Sequence, residues 1–124
     1  MYKRQENLLR ASPIISEAVV IGDRRPFIAA LLTLDAEMLP NWLRSKGLPP
    51  LSPAEAGEHP EVRAALDGEV ARANEAVSRA ESIRKYAVLP REFTAEDGEL
   101  SASLKVRRPV VLEHFADAVK GIYG

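Results

Sequence analysis

At 124 residues the chain can build one hydrophobic core but is small for a complete ATP-dependent enzyme. Its 46% hydrophobic and 28% charged residues are an ordinary folded composition, and a net charge of −1 gives the whole chain no pull on polyanions. The absence of cysteine excludes disulfides, thiolate metal sites and cysteine nucleophiles, and no apolar run approaches the roughly 20 residues needed to span a bilayer.

The start, Met1-Tyr2-Lys3-Arg4-Gln5-Glu6, has no apolar segment of the signal-peptide kind and reads as a cut edge, with a helix already under way over residues 5–11. Pro13 stops that helix. Two β-branched and aliphatic runs follow, Ile14 to Ile21 and Phe27 to Leu34, separated by the turn residues Gly22-Asp23-Arg24-Arg25-Pro26. They predict a β-hairpin. Neither run alternates, since Val19 to Ile21 and Ile28 to Leu32 are continuously apolar, so the sheet is expected to be covered on both faces.

Asp35 is placed to cap a short helix carrying Met38, Leu39, Trp42 and Leu43 and ending at Gly47, with Pro40 splitting off its first turn. Residues 48–58 hold Pro49, Pro50, Pro53 and Gly57 and read as a loop. From Pro60 to Arg79 the apolar residues Val62, Leu66, Val70, Ala73 and Val77 form one helical stripe. Gly68 weakens that helix by roughly 1 kcal/mol relative to alanine, too little to break it. Tyr86 to Leu89 is a third strand, stopped by Pro90, and Asp97-Gly98 marks a tight turn between Phe93 and Leu100. Pro109 opens a last helix with Val111, Leu112, Phe115, Val119 and Ile122 inward. The expected fold is α+β, a small, mainly antiparallel sheet (hairpin plus third strand) flanked by helices, in one domain over residues 1–124.

Much catalytic chemistry is missing from the sequence. Neither G-x-x-x-x-G-K-[ST] nor G-x-G-x-x-G occurs, so there is no phosphate cradle of either kind. His59, before Pro60, reads as a helix cap, and His114, beside Phe115, as a partly exposed structural residue; no metal site is expected. Glu96, Asp97 and Glu99 read as solvation of a turn. Trp42 reads as core or as a domain contact, and Arg79, Glu81, Arg84 and Lys85 as a surface. Taken alone, Lys105-Val106-Arg107-Arg108 is a solvated basic edge.

The stretch from Ser78 to Arg108, SRAESIRKYAVLPREFTAEDGELSASLKVRR, resembles the C-terminal region of long-chain acyl-CoA synthetases, members of the adenylate-forming superfamily. Further matches run in order along nearly the whole chain: Leu8 to Asp23, Arg25-Pro26-Phe27 through Leu34-Asp35, Ala73 to Arg79, and Gly98-Glu99-Leu100 ahead of Leu104-Lys105-Val106-Arg107-Arg108. The resemblance implies a mobile C-terminal lid domain, with the N-terminal AMP-binding domain and a hinge aspartate expected upstream of residue 1. It implies ATP with Mg2+, held mainly by that N-terminal domain, and fatty acid and coenzyme A as further substrates. Lys105 matches the family's catalytic lysine. Arg84, Lys85, Gly98, Arg107 and Arg108 are carried as candidates for substrate binding or domain contact. Ala102 stands where the family often has proline. A cytoplasmic enzyme is implied, at most peripheral at the inner membrane face, and the separate chain is expected to be inactive.

Two alternatives use the same residues. One is a non-catalytic regulatory module of the same fold. The other is a contact for nucleic acid or anionic lipid over residues 79–108. That window holds seven Lys/Arg (79, 84, 85, 91, 105, 107, 108) against five Asp/Glu (81, 92, 96, 97, 99) and few aromatic residues, which weighs against nucleic acid as a partner.

Overall fold

The computed structural model describes residues 2–124 and is an α+β domain, as expected. In chain order it runs α1 (Lys3–Arg10), β1 (Ile15–Ile21), β2 (Ile28–Leu34), α2 (Leu39–Ser45), α3 (Pro53–Ala56) and α4 (Pro60–Glu75). A 3₁₀ turn (Arg79–Glu81), β3 (Ile83–Val88), α5 (Arg108–His114) and α6 (Ala116–Tyr123) complete it. Met1, part of the cut edge expected from the sequence, lies outside the described residues. No helix among the described residues is long and apolar enough to cross a membrane.

The strands order as β1-β2-β3. β1 and β2 form the expected antiparallel hairpin, with Val19 opposite Leu31 and a bulge between Ile15 and Glu17. At the bulge the Thr33 hydroxyl accepts from the Glu17 N–H (3.0 Å), which satisfies a backbone group the ladder has dropped. β3 pairs with β2 in parallel, so the sheet is mixed. The cause is the connection. The chain leaves β2, crosses one face through α2, α3 and α4, and returns to the same end of the sheet, which forces the two strands to run the same way.

Both faces are covered, which explains the missing alternation. On one face Ala18, Val20, Ala30, Leu32 and Leu34 pack with Leu9 of α1, Leu39 and Leu43 of α2, Ala56 of α3 and the α4 stripe Val62, Leu66, Val70 and Ala73. On the other face Val19, Ile21, Ala29 and Leu31 pack with Leu89, Phe93, Val111, Phe115, Val119 and Ile122. The second layer is thinner and carries the segment of interest.

Several boundaries differ from the sequence expectation for local reasons. The loop at 48–58 contains α3, held by a capping box: the Ser52 hydroxyl accepts from the Glu55 N–H (3.2 Å) and the Glu55 carboxylate from the Ser52 N–H (2.9 Å). α4 stops at Glu75 and not at Arg79, because the Asn74 side chain turns to bond both Ile83 N–H (2.8 Å) and Ile83 C=O (3.0 Å). That amide stands in for a neighbouring strand and fixes where β3 begins. The last helix is broken at Phe115 (φ −112°, ψ 32°), whose ring is buried against Phe93 and beneath the Arg91 guanidinium. His59 does cap α4, its Nδ1 accepting from the Glu61 N–H at 3.2 Å.

Candidate functional site

Between β3 and α5 the chain makes two nested turns that carry Gly98 and Lys105. Thr94 and Asp97 close the first: the Thr94 hydroxyl bonds the Asp97 carboxylate (2.8 Å) and accepts from its N–H (3.0 Å). Gly98 then takes a left-handed backbone (φ +78°), a conformation in which any Cβ is strained. The result is that Glu99 points inward, and its side chain is fully buried.

The Glu99 carboxylate is saturated with donors. Arg91 grips it with both guanidinium nitrogens (2.8 and 2.6 Å), His114 Nδ1 lies at 2.8 Å, and the Thr94 N–H donates at 3.1 Å. The Arg91 bonds are the largest of the influences that hold its pKa down at about 2, against the opposing cost of burial. Arg91 is itself pushed up, first by the same hydrogen bonds. Reading Glu99 as turn solvation is therefore corrected: Glu96 and Asp97 are exposed, while Glu99 is a buried anchor joining residues 91, 94 and 114.

Glu99 also holds the base of the second turn. Its C=O accepts from the Arg107 N–H (2.7 Å), and Leu100 and Val106 form an antiparallel bridge. Within that frame the Ser101 N–H donates to the Lys105 C=O (2.8 Å), the Leu104 N–H to the Ser101 C=O (2.8 Å), and the Lys105 N–H to the Ser101 hydroxyl (3.1 Å). The Ser101-Ala102-Ser103 run is thus an ordered tight turn. Leu104 sits in the left-handed region (φ +63°), which costs a non-glycine residue roughly 1–2 kcal/mol. It is also 67% exposed, more than any other large apolar side chain among the described residues.

Lys105 follows directly. It is exposed, and among the described residues its ammonium has no ion pair or hydrogen bond. A free cation on a braced turn is equipped to meet an anion held by another body.

The other candidates divide by location. Gly98 and Arg107 belong to the same double turn, and one guanidinium nitrogen of Arg107 lies 3.9 Å from where a Cβ on Gly98 would stand. Arg108 faces the opposite way. It donates to the Glu6 carboxylate (2.7 Å) and to the Val20 C=O, while Glu6 accepts from the Val20 N–H (2.8 Å). Together they close the outer edge of β1 and tie α5 to α1. Arg84 and Lys85 lie on β3, beside a groove of about 550 Å³ shared with Gly57, Arg63, Tyr86 and Gly121, and the Lys85 ammonium rests 5.4 Å from the Phe27 ring. A larger groove of about 820 Å³, lined by Tyr2, Gly22, Arg25, Arg108, Lys120 and Tyr123 among others, does not include Lys105. Among the described residues no group of three His, Asp or Glu side chains is placed to hold a metal ion.

Sequence reasoning did not single out Arg91 as an anchor or Leu104 as exposed. Arg91 and Glu99 are eight residues apart with no periodicity linking them, so only the folded turn reveals the pair. Leu104 left one trace, an apolar residue inside a polar run.

The model of the AMP-binding enzyme C-terminal domain matches residues 3–124. The chain is 46% identical over 119 residues to the long-chain-fatty-acid–CoA ligase FadD15 of Mycobacterium tuberculosis, covering 95% of this chain and 20% of that protein. It is 31% identical over 137 residues to the long-chain-fatty-acid–CoA ligase ACSBG2 of Gallus gallus, covering 96% of this chain and 18% of that one. The chain thus spans about a fifth of the length of the curated relatives it matches. Among solved structures, the adenylation domain of a carboxylate reductase from Mycobacterium chelonae superimposes with a TM-score of 0.73 at 20% identity, over 98% of this chain and 17% of that one. The adenylation domain of a carboxylic acid reductase from Segniliparus rugosus, in complex with AMP and a co-purified carboxylic acid, gives 0.71 at 22% identity, over 97% of this chain and 17% of its own. At those identities the two superpositions speak for the fold.

Proposed function

Since this chain belongs to the AMP-binding enzyme C-terminal domain family, we propose that it is the mobile C-terminal domain of a long-chain-fatty-acid–CoA ligase and that Lys105 is its catalytic residue. The observation that carries this reading is the Lys105 ammonium, unpaired among the described residues, on a braced, exposed turn in a chain 46% identical to such a ligase.

In the reaction a fatty-acid carboxylate oxygen attacks the α-phosphorus of ATP, the bond to pyrophosphate breaks, and an acyl-adenylate forms. The thiol of coenzyme A then attacks the acyl carbonyl, loses its proton and expels AMP. The first step brings two anions together. Lys105 contacts the oxygens between which negative charge gathers and lowers that repulsion in the transition state. Carriage on a separate domain lets the lysine withdraw before the thiol arrives.

Neither phosphate-cradle motif occurs in the sequence, and no group of three His, Asp or Glu side chains among the described residues is placed to hold Mg2+, so neither ATP nor Mg2+ has a recognisable site there. We assign both to an N-terminal AMP-binding domain, the partner on which this one closes. Arg107, beside Lys105, is placed to meet phosphate oxygens or that domain. Arg84 and Lys85 are assigned to a second docking face, and Arg108 to holding the domain together. We place the ligase in the cytoplasm, at most peripherally at the membrane, which cell fractionation checks.

The test uses the full-length enzyme. Lys105→Ala should lower pyrophosphate release from fatty acid and ATP by roughly 10²–10³-fold. Thioester formation from supplied acyl-adenylate should change only a few-fold. Near-wild-type pyrophosphate release would remove Lys105 from the mechanism.

A further inference from the structure

Leu104 combines two features that rarely coincide. It is a large apolar side chain 67% open to solvent, and it has a left-handed backbone at φ +63°. Either feature alone is unremarkable in a surface turn. Together they describe a side chain held out at a local cost in a conformation that glycine or asparagine would adopt more easily. The turn does not let it relax. The Leu104 N–H is bonded to the Ser101 C=O (2.8 Å), the next N–H to the Ser101 hydroxyl (3.1 Å), and the Leu100–Val106 bridge closes the base over the Glu99 anchor. No residue of this domain covers it to the extent that the other large core side chains are covered.

We propose that Leu104 is a docking contact: it inserts into an apolar recess of the N-terminal AMP-binding domain and so sets the position of the adjacent Lys105. This rests on the assignment of Lys105 given above. The occupant follows from adjacency and size. When the Lys105 amine meets anions held on another body, its immediate neighbour lies at that same interface. The relatives carry some four-fifths of their length outside the segment matched here, enough to supply that body. A buried apolar anchor beside a charged contact also makes physical sense. The lysine must be placed to within a fraction of an ångström but leave after one step, and a single leucine gives register without a tight grip.

The test compares Leu104→Asn, Leu104→Ala and Leu104→Met with Lys105→Ala in the full-length enzyme. Asparagine suits the left-handed backbone and is close to leucine in size, so it removes apolar contact while relieving strain. L104N and L104A should lower kcat/KM for adenylation, read as pyrophosphate release, by about 10-fold, and L104M should recover most of that loss. Thioester formation from supplied acyl-adenylate should fall far less, and the thermal midpoint of L104N should equal or exceed that of the parent. Wild-type adenylation in L104N overturns the proposal, as does an equal loss of both half-reactions together with a lowered midpoint, which would mark Leu104 as a folding residue. If Lys105→Ala itself leaves adenylation intact, the premise has failed. If Lys105→Ala is crippled and L104N is not, the premise stands and the docking role falls.

Discussion

Glu99 holds a negative charge where water does not reach, and it stays charged because four donors surround it. An ordinary carboxyl near 4.5 is brought down to about 2, so the folded state binds its proton more weakly than the unfolded chain does. The linked stability is therefore fully present above pH 4.5 and is lost as the pH falls toward 2. Its size is on the order of 2–3 kcal/mol, after discounting for the solvent that reaches the Arg91 side of the pair. Glu99→Gln should accordingly lower stability at neutral pH by about that amount, and the gap to the parent should close between pH 4.5 and pH 2 in urea unfolding series. A gap independent of pH would mean that packing, and not the charge, is what Glu99 contributes. Sequence placed this residue in a turn and read it as solvated. Its burial depends on Arg91 and Thr94 from the segment after β3 meeting His114 from the end of α5, which no local pattern encodes.

At the level of elements, the joint between α4 and β3 rests on one amide. Asn74 bonds both backbone groups of Ile83, and these are the bonds a further strand residue would otherwise make. Asn74→Ala leaves a donor and an acceptor at the start of β3 without partners and should cost about 1–3 kcal/mol, measured as a shift in the urea midpoint. Hydrogen exchange should rise first at residues 83–86, with the hairpin of β1 and β2 little changed. Uniform loss of protection would show instead that the joint is part of the global core. The helical stripe from Val62 to Ala73 was legible from its spacing, but its end was not. Val77 continues the periodicity, yet the backbone leaves the helix at Glu75, since the Asn74 side-chain bond to Ile83, nine residues further on, outweighs one more turn of helix. Similarly, the capping box at Ser52 and Glu55 was hidden by the prolines around it, although its sequence signature was present.

On the scale of the whole molecule, the sheet separates two layers with different tasks. The α1–α4 layer contains the larger cluster of buried side chains. The opposite layer holds the α5–α6 pair and the double turn, so the exposed lysine is attached to a solid body through Glu99, Phe93 and Phe115. A body of this kind can swing as a unit and still deliver one ammonium group accurately. The sequence carries neither phosphate-cradle motif and ATP is assigned to the N-terminal AMP-binding domain, so this chain alone, mixed with fatty acid, ATP and coenzyme A, should form no acyl-CoA detectable by chromatography. Thioester formation by the chain alone would contradict the division of labour proposed here.

The order of residues by itself determined the hairpin, the long helical stripe, the two-faced sheet and the family resemblance, because hydrophobic spacing, turn residues and motifs are local and survive without coordinates. Tertiary structure alone decided that β3 runs parallel to β2, that Arg108 closes an edge of the domain while Lys105 has no partner among the described residues, that Glu99 is buried, and that Leu104 is not. These depend on which distant groups meet once the chain has packed. Burial and pairing are properties of that meeting, and a run of basic residues looks the same in sequence whether its members bind each other's neighbours or remain open to solvent.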